Sequence, residues 1–516
     1  MKISKNPVLL CLLFILLILG RSTAQSAYTE KYRPQYHFTP LHGWMNDPNG
    51  LVYYAGEYHL FYQYYPGSTV WGPMHWGHAV SKDLVHWEHL PIALYPDSIG
   101  YIFSGSAVVD RHNSTGFGTV KNPPLVAMFT YHNMDLEKHG RLDCENQGIA
   151  FSLDKGRTWT KFAGNPVLHN PGVKDFRDPK VIWNEAVHQW NLILSAHDRV
   201  KIYSSTNLKD WKFESDFGSD AGSHGGVWEC PDLFEMKVKG GSESKWVLVV
   251  NMNPGGPNGG SGTQYFTGKF DGHQFLPDSR ETKWLDWGRD NYAGVTWSDV
   301  PKKDGRRLFI GWMSNWNYAQ VVPTDPWRSA MTIPRELTLT KSAGNYAMQS
   351  LPVVETEKLL DLSSKILLKQ ENILGEKQLD NKDIDLNQCR ITLLLETSKS
   401  QSDSLGMILA NPSGESITIG YSYKTRLFTV DRTHSGKMDF SNRFSGIDKA
   451  PCTVGKQIKI EVLVDAASAE IFVDDGRLVM TELFFPAGKF NSLKIANYGG
   501  KLNLLSGDLM GIKRIW

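Results

Sequence analysis

Asp47 stands in the run Trp44-Met45-Asn46-Asp47-Pro48-Asn49-Gly50, where Pro and Gly impose a rigid turn. The two Asn side chains can hold an ionised carboxylate by hydrogen bonds instead of a salt bridge, a setting that presents an Asp as a nucleophile. On local sequence alone an Asx-turn between strands is the better reading. Two further acidic motifs reverse it. Phe176-Arg177-Asp178-Pro179-Lys180 places an Arg and an Asp on one tight turn, from which both can enter a pocket and Asp178 can accept hydrogen bonds from vicinal hydroxyls. The competing reading is a surface ion pair, which is worth little. In Val227-Trp228-Glu229-Cys230-Pro231-Asp232 the carboxyl of Glu229 has Trp, Cys and Pro beside it. Apolar flanks and a nearby like charge raise a carboxyl pKa, as a general acid requires, whereas taken alone Glu229 reads as a strand-end residue. Hydrolysis of a glycosidic bond with retention needs one carboxylate to attack and one carboxylic acid to protonate the leaving oxygen. Asp47 and Glu229 suit those two roles.

The elements that must position these groups are short strands. Over residues 25–345 strands alternate with Gly, Pro and Asp turns, and one unit recurs: a strand, a polar turn, then an aromatic residue. Copies end at Trp87, Trp159 and Trp211, and a looser one at Phe275. Such recurrence predicts propeller blades, five to seven of them at about 40–60 residues each. A large irregular β sandwich is the alternative, and the repeated hairpin argues against it. Residues 346–378 show little alternation and read as a linker. From 379 to 516 period-two alternation returns, cleanest over Ile458-Lys459-Ile460-Glu461-Val462-Leu463-Val464, and predicts a β-sandwich that braces the first domain. The fold class expected is all-β.

Residues 1–24 read as a signal peptide. Lys2 and Lys5 precede an apolar run, residues 8–19, of about a dozen residues, and Ser22-Thr23-Ala24 supplies small residues for cleavage. The run is short for a bilayer span, and no other segment is long enough. The expected location is therefore outside the cytoplasm, extracellular or periplasmic. Without the leader the chain carries 52 Lys and Arg against 54 Asp and Glu. That balance gives no electrostatic reason for a nucleic-acid partner. Seventeen Trp suit stacking on sugar rings, as well as an aromatic-rich β core. Cys144, Cys230, Cys389 and Cys452 are too sparse for a disulfide scaffold, but Cys389 and Cys452 lie in one region and could pair, while Cys230 reads as a buried free thiol. The pairs His75/His78 and His86/His89 lack a metal-binding helix pattern, so neither a metal nor another cofactor is expected.

Taken in order, the three acidic motifs resemble glycoside hydrolase family 32, which contains invertases, levanases and inulinases. Phe61-Tyr62-Gln63-Tyr64, Phe103-Ser104-Gly105-Ser106-Ala107, Ile310-Gly311-Trp312-Met313-Ser314-Asn315-Trp316 and Pro326-Trp327-Arg328-Ser329-Ala330 extend the likeness over nearly the whole mature chain. Residues 101–105 and 259–266 look more like microbial levanases and inulinases than plant invertases. The resemblance implies a five-bladed β-propeller followed by a C-terminal β-sandwich, and a retaining hydrolase acting on β-fructofuranosidic bonds of fructans or sucrose. It implies Asp47 as nucleophile on the anomeric carbon, Glu229 as acid/base and Asp178 as transition-state stabiliser. It also implies a fructose pocket lined by Trp44, Asn46, Gln63, Trp71, Phe103, Ser104, Arg177 and Trp312. Three other readings compete. Ser152-Leu153-Asp154-Lys155-Gly156-Arg157-Thr158-Trp159 fits the Asp-box of sialidase propellers, without their Arg cluster or Tyr nucleophile. An inverting arabinan- or xylan-cleaving propeller would also carry three carboxylates. A propeller lectin would bind sugar without needing Glu229 as an acid.

Overall fold

Five sheets, each built on four antiparallel strands, follow one another between Gly43 and Pro352 of the computed structural model, which describes residues 28–379, 382–397 and 403–516. The leader read at residues 1–24 lies outside the described residues. The innermost strands are Gly43–Tyr54, Tyr101–Val109, Phe176–Asn184, Val227–Lys237 and Tyr292–Thr296. Each touches the next and the last touches the first, so the sheets close into a five-bladed propeller. The strand Trp327–Arg328 pairs in parallel with Gly43 and Trp44 and ties the fifth blade to the first. Inner strands are buried on both faces, which is why Leu125–His132, the second strand of blade two, reads as one apolar run.

The recurring aromatic hairpin joins the third and outermost strands of blades one to four. In each copy an Asx side chain caps the turn. Asp83 accepts the backbone N–H of His86, Asp154 that of Thr158, Asn207 that of Asp210 and Asp271 that of Gln274. Blade five lacks the device and turns through Ala343 and Gly344, both at positive φ.

A second feature repeats in all five blades. Near its start the innermost strand carries an extra residue, so that two residues face one on the neighbouring strand. The pairs are Asn46-Asp47, Phe103-Ser104, Asp178-Pro179, Cys230-Pro231 and Ala293-Gly294. Such β-bulges bend a strand and re-aim its side chains. Asp178, Cys230 and Ala293 take positive φ at these points, of 63°, 43° and 53°. Non-glycine residues held there store about 1–3 kcal/mol each, and such sites cluster where function is built.

The C-terminal domain is a two-layered sandwich around a continuous apolar core. The 21-residue strand Ser492–Ile512 serves both layers. Its first part pairs with Ser404–Ala410 and its last part with Cys389–Glu396. The four cysteines are free. Cys389 opens a strand paired with Gln457–Asp465, whereas Cys452 follows Ile447–Pro451, an edge strand of the other layer, so the suggested Cys389–Cys452 bridge does not form.

The stretch 346–378 is not the linker expected. Asn345–Pro352 is the outermost strand of blade five, and Leu360–Leu368 and Glu371–Gln378 both pair with Ser492–Ile512. The latter two strands are largely exposed on both faces, so no apolar period marks them, and the backbone ladder alone makes them strands. The connection between domains shrinks to the residues around the short 3-10 turn Val354–Leu359.

Candidate active site

The bulges bring the three acidic motifs to one end of the propeller axis. A cavity of about 580 Å³ opens there, and Asp47, Asp178 and Glu229 all line it. Asn46, Gln63, Trp71, Phe103, Ser104 and Arg177 line it as well.

Asp47 is held entirely by neutral donors. Ser104 Oγ donates to Oδ2 at 2.7 Å, Asn46 Nδ2 to Oδ1 at 3.0 Å and the Cys230 thiol to Oδ2 at 3.4 Å. The Asn46 amide is itself oriented, because Trp44 Nε1–H donates to its Oδ1 at 2.7 Å. An indole N–H is a donor only, so it selects the amide oxygen and leaves the NH₂ for Asp47. Burial pushes the Asp47 carboxyl up from the usual carboxylate range, and the hydrogen bonds from Ser104, Asn46 and Cys230 work against that.

Asp178 accepts the backbone N–H of Cys230 at 2.9 Å, a bond that the two facing bulges make possible. The Cys230 thiol lies 3.6 Å from the same oxygen, so this one S–H sits between Asp47 and Asp178. Burial drives Asp178 up to about 8, with Glu229 and Asp47 adding to the rise and Arg177 opposing it. Glu229 is also raised. Burial is the main cause, Arg177 and the Tyr292 hydroxyl oppose it, and the nearby Asp47 adds to it. Asp178 and Glu229 are thus both shifted toward the protonated form, with burial as the main cause.

Arg177 organises the Glu229 side. Its Nη2 donates to Glu229 Oε1 at 3.0 Å, and its Nη1 to Asp175 at 2.8 Å and Glu145 at 3.0 Å. Tyr292 O–H donates to the other Glu229 oxygen. His132 bonds Glu145 at 3.3 Å and lies flat on Phe103, with ring centroids 4.2 Å apart.

Two expected lining residues do not reach the cavity. Trp44 and Trp312 are fully buried beneath it, packed with Trp316, whose ring lies 5.8 Å from Trp44 and 5.0 Å from Trp312. Trp316 is the member of this group that lines the cavity. Beside a tight turn an indole can face either way, and here the inner position lets Trp44 act through Asn46. The sequence reading missed Glu145, His132, Asp175 and Tyr292 as site residues. Nothing in their local runs marks them, although the Pro or Gly in Asp178-Pro179, Cys230-Pro231 and Ala293-Gly294 was a readable bulge signal.

Family comparisons fit this arrangement. The N-terminal domain model of glycosyl hydrolases family 32 matches residues 37–350, and the C-terminal model of that family matches residues 355–509. This chain belongs to glycoside hydrolase family 32. Among its relatives, a levanase of Bacillus subtilis is 47% identical over 99% of this chain and 76% of its own length. An extracellular exo-inulinase of Aspergillus awamori is 38% identical over 95% of this chain and 96% of its own. The crystal structure of exo-inulinase from that organism superposes with a TM-score of 0.87 at 36% identity, covering 95% of this chain and all of the other. A β-fructofuranosidase from Schwanniomyces occidentalis, complexed with fructosyl-erythritol, gives a TM-score of 0.85 at 33% identity, over 95% and 100% of the two chains. The family 32 chain is thus a glycoside hydrolase on a propeller-and-sandwich frame, and not a sialidase or a lectin.

Proposed function

We propose that this family 32 hydrolase is a secreted β-fructosidase that releases fructose from the ends of fructans, and from sucrose, with retention of configuration. The observation that carries the reading is the convergence of Asp47, Asp178 and Glu229, from three different blades, in one cavity. In this reading Asp47 attacks the anomeric carbon of a terminal fructosyl unit while Glu229 protonates the departing oxygen. Hydroxyls of the bound sugar donate to Asp178 and favour its carboxylate form, and a negative charge on Asp178 favours the acid form of Glu229. Once Asp47 is esterified its charge is gone, Glu229 loses a like-charged neighbour, and its pKa falls. Glu229 then takes the proton of the water that releases fructose. The levanase and exo-inulinase relatives support a fructan substrate. The exo-inulinase relative supports release from chain ends.

The leader read at residues 1–24 and the extracellular relatives support export.

A product time course on sucrose, inulin and levan tests the substrate and the mode. Fructose alone from the polymers is expected, whereas early oligomers would mean internal cleavage. Asp47→Ala should abolish turnover on every substrate. Glu229→Ala should lose roughly 10²–10⁴-fold on sucrose and less than about tenfold on a fructoside with an activated leaving group. Equal losses on both would remove Glu229 from the acid role.

A further inference from the structure

The half-buried Trp316 that lines the cavity sits on a turn, Asn315-Trp316-Asn317-Tyr318, just after the blade-five strand Arg307–Met313. The backbone N–H groups of Tyr318 and Ala319 close the turn on Asn315 O at 3.1 and 2.8 Å. The sandwich grips this turn directly. Arg443 Nη1 donates to Asn317 Oδ1 at 3.3 Å, and Arg432 Nη2 donates to the Tyr318 hydroxyl at 2.9 Å. Phe444 meets the Tyr318 ring edge-on, with centroids 5.0 Å apart.

A second grip runs through the Gly-rich loop 254–261 of blade four, which joins Ser244–Asn253 to Gly262–Phe270. Asn258 on this loop pairs with the sandwich edge strand Ile447–Pro451 as a neighbouring strand would. Its Oδ1 accepts the Lys449 backbone N–H at 2.9 Å, and its Nδ2 donates to Lys449 O at 3.0 Å and to Trp287 O at 2.6 Å. A side-chain amide carries both a donor and an acceptor, so one Asn can satisfy both backbone groups of one residue. On its other flank the loop presses on the turn. A Cβ added to Gly260, whose φ is +68°, would lie 2.2 Å from Asn315 Oδ1 and 2.6 Å from Asn317 Nδ2, so this approach requires glycine. Ser261 Oγ then accepts the Trp316 backbone N–H at 3.3 Å.

The ring of Trp316 packs on Trp44, the residue that orients Asn46 toward Asp47. Trp316 therefore stands on the nucleophile's side of the cavity, where the sugar under attack must sit. We propose that the sandwich positions Trp316 as an apolar surface for that fructosyl unit, and that Asn258 is a positioning residue that transmits the hold of Lys449 to the turn. This rests on the β-fructosidase reading above. The sandwich thus shapes the cavity wall without contributing a residue to it.

A double-mutant cycle on sucrose tests the link. Asn258→Ala should lower kcat/KM roughly 3–10-fold, mostly through KM, because the aromatic surface offered to the sugar shifts. Trp316→Ala should lower it further. The double variant should be no worse than Trp316→Ala alone, since Asn258 acts through Trp316. Additive losses would make Asn258 a support of the fold only and overturn the proposal, as would an unchanged KM in either single variant. If Asn258→Ala does not fold, Arg443→Met, at an exposed side chain, takes its place in the same cycle with the same outcomes. A wild-type enzyme that releases no fructose from sucrose, inulin or levan would strike the underlying reading instead. Crystal structures then decide the positioning by themselves. A Trp316 indole displaced by about 1 Å or more in Asn258→Ala supports the proposal, and an unmoved indole overturns it.

Discussion

In the proposed mechanism Glu229 is an acid in one half of the reaction and a base in the other, and its neighbours set how readily it changes. Tyr292 O–H and Arg177 both favour the carboxylate, while burial and the Asp47 charge favour the acid and prevail. Removing the tyrosine hydroxyl takes away a donor to the charged form, so the pKa of Glu229 rises further. Tyr292→Phe should therefore move the basic limb of the kcat/KM profile to higher pH and lower kcat about tenfold, since the second step needs Glu229 as a base. An unmoved basic limb would mean that another group controls it. Asp47, Asp178 and Glu229 were legible in the sequence because their flanking Pro, Gly, Asn, Arg and Trp residues make unusual local settings. Tyr292 and Glu145 were not, because each becomes a site residue only through a partner at least 30 positions away.

The five bulges are the elements that turn a ring of strands into a site. Each lifts a side chain or a backbone N–H out of its ladder and toward the axis, so Asp47, Ser104, Asp178 and Cys230 meet although they come from four blades. Gly105 shows how tightly one is packed. A Cβ added there would lie 2.0 Å from Met128 O and 2.7 Å from Phe129 Cα, both backbone atoms of the next strand. Gly105→Ala must open the blade-two bulge, at a cost of about 1–3 kcal/mol. It should lower Tm, and also lower kcat because Ser104 loses its position on Asp47. A thermal melt and a sucrose assay on the same preparation check both, and an unchanged kcat would show that Ser104 does not depend on the bulge. At this scale the aromatic hairpins were legible as a repeat. The edge strands Leu360–Leu368 and Glu371–Gln378 were not, since exposed strands need no apolar pattern.

The sandwich and the propeller share buried charge as well as apolar surface. Arg335 of blade five bonds Asp286 beside it and Glu470 of the sandwich, and Arg432 of the sandwich bonds Asp290 of the propeller at 2.7 Å. His37, fully buried at the same interface, bonds Asp465 at 2.7 Å and Glu470 at 2.8 Å. Tyr36, Ile333, Phe472 and Val479 belong to one apolar cluster that spans both domains. Burial pulls the His37 pKa down, but the two carboxylates raise it from 6.5 to about 9. Because the folded value is the higher one, His37 stabilises fully below about pH 6.5, and the contribution is lost as pH rises toward 9. The loss should amount to about 3 kcal/mol, from 1.36 kcal/mol per pKa unit. Melts from pH 6 to 9.5 should show Tm falling through this window in the wild type and a flatter profile in His37→Gln. Parallel profiles would place the pH dependence elsewhere.

Strand period, turn chemistry and motif flanks are local and survive in one dimension, so the all-β class, the repeated blade hairpin, the sandwich and the three candidate carboxylates were legible in the sequence. Tertiary structure decided the rest. Whether Trp44 faces the cavity or lies under it, whether Cys389 meets Cys452, and which charges bridge the domains all depend on residues far apart in the chain. So does the contact of Glu145 with Arg177, since only the closed ring of blades brings the two side chains together.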